Sequence, residues 1–175
     1  MMAQFKDKLK KERKIISRLS HPNIVGILDI FEENNTAYLV MEYIEGESLK
    51  DKIMRLGKLD EHTTMKYANQ ICSALTKIHS KRTLHLDIKP SNILIDEDDN
   101  VQIIDFGISK QYDEKAQETS NTPIGVSTGY SPIEQYGTLK SFSPPTDIYA
   151  LGATLYTMLT GQTPLEATGR SLFDL

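Results

Sequence analysis

The pattern of apolar and polar residues predicts an α+β chain, and three stretches decide it. Residues 93–104 hold two apolar runs, Ile93-Leu94-Ile95 and Val101-Gln102-Ile103-Ile104, around the acidic turn Glu97-Asp98-Asp99-Asn100, the signature of a buried hairpin. Residues 60–80 repeat apolar side chains at helical spacing, with Met65, Ala68, Ile71, Cys72, Leu75, Ile78 and His79 on one stripe. Residues 147–156 are apolar nearly all round, which is the pattern of a helix in the middle of a domain.

Composition narrows the possibilities. At 175 residues the chain is long enough for one domain with a real core. A net charge of -4 argues against a nucleic-acid or anionic-membrane binder. Cys72 is the one cysteine, so no internal disulfide can form, and its place on the stripe predicts a buried thiol. There is neither a run of eighteen apolar residues nor an apolar signal core at the start, which gives the expectation of a soluble, cytoplasmic chain without a membrane segment.

Taken in order, residues 3–19 read as an amphipathic helix with Phe5, Leu9, Glu12, Ile16 and Leu19 on one face. Strands are expected at 24–31 and 37–42 around the polar turn 32–35. A short helix should cover 48–56, with Ser48 and Asp51 forming a capping box, before the long helix of 60–80. The polar stretch 108–125 lacks apolar periodicity and reads as a functional loop. Asp147 is placed to cap the last helix, Gly161 ends it, and Pro164 prevents its resumption. Residues 165–175 carry no further complete element by this reading.

Between the long helix and the hairpin lies Leu84-His85-Leu86-Asp87-Ile88-Lys89-Pro90-Ser91-Asn92, and the hairpin's second strand runs into Asp105-Phe106-Gly107. Folding the hairpin brings Asp87, Lys89, Asn92 and Asp105 together. These two segments resemble the catalytic and magnesium loops of eukaryotic-type protein kinases, and most of all the Ser/Thr kinases of bacteria. The resemblance implies a kinase-like fold with a partial small lobe over residues 1–43 and a partial, mainly helical large lobe over 44–175. It implies ATP and magnesium as cofactors and a protein substrate with a serine or threonine acceptor. Asp87 would then be the base for the acceptor hydroxyl, Lys89 the cation on the transferred phosphate, and Asn92 and Asp105 the magnesium ligands.

By the same resemblance Glu12, ten residues before Pro22 in His21-Pro22-Asn23-Ile24-Val25, is the inward glutamate of the small lobe. Met41 guards the back of the adenine pocket, Glu42 and Ile44 offer main-chain hydrogen bonds to adenine, and Leu94 joins them on the nucleotide side. Ser127 stands where the family has a threonine whose hydroxyl bonds the catalytic aspartate. Pro132-Ile133-Glu134 matches the close of the activation segment, and Asp147 the aspartate that holds the catalytic loop from below.

Three departures stand beside the agreements. Leu86 replaces the arginine that in the family pairs with a phosphate on the activation segment. A glycine-rich loop and strand lysine ahead of Glu12, and the late arginine expected to pair with Glu134, are not found in the sequence. The expectation is therefore the central part of a kinase, weak or inactive by itself, with a pseudokinase or interaction module as the alternative.

Overall fold

Backbone hydrogen bonding follows the apolar runs closely. A computed structural model describes residues 19–34, 36–105, 110–111, 125–137 and 142–170. Residues 3–18 of the helix expected over 3–19, including Glu12, and Phe106, Gly107 and most of the polar stretch 108–125 lie outside the described residues. Strands β1 (Ile27–Glu33) and β2 (Thr36–Met41) pair antiparallel around the turn at Asn34, with Phe31 opposite Tyr38. The first strand starts three residues later than expected for a physical reason. Ile24 and Val25 are claimed by another partner, since Val25 N–H donates to Ile103 O at 3.1 Å and Ile103 N–H to Asn23 O at 2.9 Å.

That partner is the hairpin read from the sequence. Strands β3 (Gly46–Ser48), β5 (Ile93–Asp96) and β6 (Val101–Ile103) form an antiparallel sheet in the order β3-β5-β6, with Ile93 opposite Ile103 and Ile95 opposite Val101. The side chains of Ile93, Ile95, Val101 and Ile103 are buried in the main core. Gly46 has φ 152°, and a Cβ there would stand 2.0 Å from Ile95 O, so only glycine lets the two strands cross. Strand β4 (Thr83–Leu84) pairs with β7 (Lys110–Gln111), bracketing the catalytic-loop segment on its other side.

Helix α1 (Leu49–Leu56) is capped by Ser48, whose Oγ accepts from Asp51 N–H at 3.0 Å; the hydroxyl in turn donates to the Asp51 carboxylate instead of the reciprocal backbone contact of a full box. Helix α2 (Glu61–Ser80) is capped by Asp60 and buries Thr64, Tyr67, Ala68, Ile71, Ala74, Leu75 and Ile78. Cys72 and Met65 are exposed, contrary to the sequence expectation. Each follows a buried residue by one position, a rotation of about 100° on a helix, which carries it past the edge of the buried face.

Helix α3 (Ile133–Tyr136) is short, and helix α4 (Pro144–Thr160) is the last long one. The cap of α4 is Ser143, in a reciprocal box with Thr146 and with prolines in the first two helical positions, not Asp147 as expected. Asp147 stands inside the first turn and is committed elsewhere. Nor is α4 buried all round, since Ile148, Tyr156 and Leu159 are exposed while Ala150, Leu151, Ala153 and Met158 are buried. Gly161 ends it at φ 72° against the carbonyl of Gly57. A one-turn helix, α5 (Ala167–Arg170), follows where no element was expected.

Candidate active site

The segment between β4 and β5 is held from below by one buried carboxylate. Asp147 Oδ1 accepts from Leu86 N–H at 2.7 Å, and Oδ2 accepts from His85 N–H at 2.9 Å and contacts His79 Nε2 at 2.8 Å. Asp147 is fully buried, so these donors replace the water it has lost. Removing it leaves two buried amides without an acceptor. The sequence resemblance implied this clamp, whereas its partner His79 was missed as a functional residue and read as packed or surface-facing.

His85 turns the corner. Its Nδ1 accepts from Asp87 N–H at 3.2 Å, which leaves Nε2 to donate to Ile104 O at 3.2 Å and fixes the neutral tautomer. Burial holds its pKa below the usual 6.5, outweighing the opposing pull of Asp147 and, more weakly, of Asp87 and Asp105. A neutral buried histidine thus ties the catalytic-loop segment to the strand that delivers Asp105.

Leu86 lies at φ 67°, a conformation that costs a non-glycine residue roughly 1 kcal/mol or more. Every part of it is restrained. Its N–H is on Asp147, its carbonyl accepts from Gln135 Nε2 at 2.9 Å, and its side chain packs with Leu84 and Phe142 in a small apolar cluster. Gln135 was absent from the sequence-based candidates, for a buried glutamine beside Glu134 has no signal of its own. The Glu134 carboxylate accepts from Thr146 Oγ1 at 2.9 Å.

Above this frame the candidate side chains converge. Asp87 Oδ1 accepts from Ser127 Oγ at 2.6 Å, and Oδ2 accepts from Lys89 Nζ at 2.9 Å and Asn92 Nδ2 at 2.8 Å. Lys89 Nζ also donates to Ser127 Oγ at 2.8 Å, closing a triangle. The amide nitrogen of Asn92 donates to Asp87 O as well, at 2.9 Å, so both its protons are spent inward and its carbonyl oxygen faces the other way. Ile104 N–H donates to Asn92 O at 3.0 Å, setting Asp105 beside Asn92 across the hairpin. Asp105 is exposed and sits at φ 64°, a second left-handed non-glycine residue in the same site.

The residues expected on the nucleotide side are reached along the backbone. Met41 ends β2 and is partly exposed, and Glu42 N–H donates to Gly26 O at 2.8 Å. Ile44 leads into β3, whose Ser48 pairs with Leu94 on β5, so the linker and Leu94 belong to adjoining strands two residues from Asn92. The structure thus gathers Asp87, Lys89 and Asn92 in direct contact, sets Asp105 and Leu94 next to them, and carries Met41, Glu42 and Ile44 on the connecting segment. Glu12 is outside the described residues.

Among the described residues no group of three or more His, Cys, Asp or Glu side chains is placed to hold a metal by itself. Magnesium takes one or two protein oxygens and completes its shell with water and phosphate. The outward oxygen of Asn92 and the carboxylate of Asp105 are of the type it takes.

An anchored loop, a lysine on the central aspartate and a second aspartate across a hairpin make up the site. The chain belongs to the protein kinase family, for the sequence profile of the protein kinase domain matches residues 2–173. It is 38% identical over 163 residues to the serine/threonine-protein kinase PrkC of Bacillus subtilis, covering 93% of this chain and 25% of that protein. It is likewise 38% identical over 164 residues to a probable serine/threonine-protein kinase of Clostridium acetobutylicum, covering 94% and 25%. With a probable serine/threonine-protein kinase, PknB, of Lactococcus lactis the identity is 35% over 159 residues, covering 91% and 25%. The chain spans about a quarter of the length of these curated relatives.

Proposed function

We propose that this chain carries the catalytic centre of an ATP-dependent protein serine/threonine kinase. The observation that supports it most is the contact set on Asp87, in which Lys89, Ser127 and Asn92 each hold an oxygen of one carboxylate. Asp87 orients an acceptor hydroxyl and takes its proton. Lys89, already beside it, places a positive charge where the moving phosphoryl group gathers negative charge. Asn92 and Asp105 hold magnesium, which when bound neutralises the phosphate oxygens.

On the nucleotide side the Glu42 N–H is already bonded to Gly26 O. Adenine is then left the Glu42 carbonyl as an acceptor and the Ile44 N–H as a donor. Met41 closes the back of that pocket, Leu94 lines it from β5, and Glu12 belongs to the same small lobe. We place residues 1–43 in that lobe and 44–175 in the large one. No helix among the described residues is long and apolar enough to cross a membrane. Because the reaction consumes ATP, we place the site in the cytoplasm.

The test is transfer of a γ-phosphate label from magnesium-ATP to serine and threonine peptides. Asp87→Asn is expected to cut the rate by roughly 10²-fold or more, while leaving magnesium-dependent ATP binding in calorimetry intact. Asp105→Ala should abolish the magnesium dependence of that binding. ATP heats that are identical in Asp105→Ala and the unaltered protein remove Asp105 from the site. Label transfer that survives Asp87→Asn unchanged overturns the assignment of the base.

A further inference from the structure

A cavity of about 310 Å³ is lined in part by Lys89, whose ammonium lies 2.9 Å from Asp87. Its walls come from α1, from the segment that carries Asp87, from the stretch after Ser127 and from the end of α4. The residues that decide its chemistry are Lys50, Lys89, Ser91, Thr128, Tyr130 and Thr157. Among the described residues that line it there is no carboxylate at all. In a chain with a net charge of -4, a cleft walled by lysines, hydroxyls and apolar side chains is a local reversal of sign.

The two lysines differ in what they are free to do. Lys89 is held on Asp87 at 2.9 Å and on Ser127 at 2.8 Å, so its charge is largely answered within the site. Lys50 is exposed, and no ion pair of Lys50 occurs among the described residues. It occupies the second position of α1, where the positive end of the helix dipole makes a cation unfavourable. The acidic neighbours that could answer it are turned elsewhere. Asp51 takes the Ser48 hydroxyl at 2.7 Å, and Glu47 is paired with Arg55. The lysine charge and the helix N-terminus therefore act in the same direction at one wall of the cavity.

We propose that this cavity receives an acidic side chain of the protein being phosphorylated, with Lys50 as the residue that selects it. The proposal rests on the kinase reading above for the identity of the acceptor. An extended peptide rises about 3.3 Å per residue, so a hydroxyl presented to Asp87 brings a residue within three positions of it over the cavity. A carboxylate there meets Lys50 and the hydroxyl of Ser91, whereas a lysine or arginine meets only like charge. Tyr130 cannot change that sign, because its hydroxyl is already spent on Thr157 at 3.1 Å.

The test uses the full chain and a set of fluorescent peptides with one fixed serine. A single Asp, Lys or Ala is moved through the three positions on each side of that serine. Binding is followed by anisotropy without nucleotide, and label transfer is measured separately with magnesium-ATP. At one position or more Asp is expected to bind roughly three- to fivefold tighter than Lys, in line with a partly exposed ion pair, and the gap should close in high salt. Lys50→Gln should erase the preference and Lys50→Glu should invert it. Equal binding of Asp and Lys peptides at every position overturns the proposal, as does a preference that persists unchanged in Lys50→Glu. Because binding is read without ATP, an Asp preference with no label transfer counts against the kinase reading alone. Transfer without any preference counts against the cavity alone.

Discussion

The two short-turn hairpins of the described residues start from similar sequence and end in opposite surroundings. Both β1–β2 and β5–β6 are short apolar runs joined by polar turns, and both turns contain a non-glycine residue in the left-handed region, Asn34 and Asp99. In β5–β6 the inward side chains Ile93, Val101 and Ile103 are 0% exposed, with β3 along one edge and the Asn23–Val25 segment along the other. In β1–β2 the exposure of Leu28 is 65%, and Tyr38, Leu39, Val40 and Met41 in succession are open. Four consecutive exposed residues mean that neither face of β2 is covered among the described residues.

The difference separates the residues proposed for the chemistry from those proposed for the nucleotide. Asn92 and Asp105 flank the buried hairpin, so their positions inherit its packing. Met41 and Glu42 hang from the open one, so their positions are set by two strands and the Phe31–Tyr38 ring pair, stacked at 5.1 Å. Even the turns differ. Asp99 is bound by Lys52 at 2.8 Å, by Lys66 at 2.7 Å and by the Tyr67 hydroxyl, which fastens the tip of β5–β6 to α1 and α2.

Substitution of the buried hairpin should therefore have the largest effect. Ile103→Ala removes a fully buried side chain between α2 and the Asn23 segment and is expected to lower unfolding stability by about 2–5 kcal/mol, read by urea denaturation. A loss below 1 kcal/mol there means that the hairpin is not the fixed element described. Acid titration comes next. Partial burial pushes the Asp99 carboxyl upward, but the hydrogen bonds from Lys52, Lys66 and Tyr67 outweigh it and hold it well below the ordinary 3.8. The stability from this cluster is complete above the unfolded value and fades as pH falls through it. Its side chain is 44% exposed, so screening limits the effect to about 1 kcal/mol. Asp99→Asn is thus expected to be less stable than the unaltered protein at pH 7, with the difference shrinking below about pH 4.

His85 adds an earlier acid sensitivity that both proteins should share. Its pKa is held down in the folded state, so the unfolded chain binds the extra proton and stability declines as pH drops below 6.5. The smallest effect is expected at the open hairpin. Leu28→Ala should change stability by roughly 0.5 kcal/mol or less. A loss comparable to that of Ile103→Ala would show that Leu28 is covered in the folded protein, and the contrast between the hairpins would disappear.

Much of this was legible in the letters. The β5–β6 pairing, the cap at Ser48 and the stop at Gly161 are local, each decided by residues a few positions apart. The convergence of Asp87, Lys89 and Asn92 was also within reach, because they fall within six residues of one another. The sequence failed where the deciding partner was distant. Asp147 read as a cap from its own neighbours, and only the family resemblance pointed to its acceptor oxygens serving amides about sixty residues earlier. Cys72 and Met65 shared a helical period with the core but missed the face that the rest of the molecule happens to cover.

The chain's own order of residues was enough to settle the long helices, the β5–β6 hairpin, the stop at Gly161, and which polar side chains one hairpin can deliver to a single place. Those outcomes depend on backbone preferences and on contacts that close over short loops. The tertiary structure alone decided that Leu86 is held in a strained turn by Asp147, Gln135 and Phe142, that among the described residues one hairpin is enclosed and the other is open, and that Lys50 and Lys89 wall one cavity. Burial and electrostatic sign depend on which distant surfaces meet, and no local pattern of residues encodes that meeting.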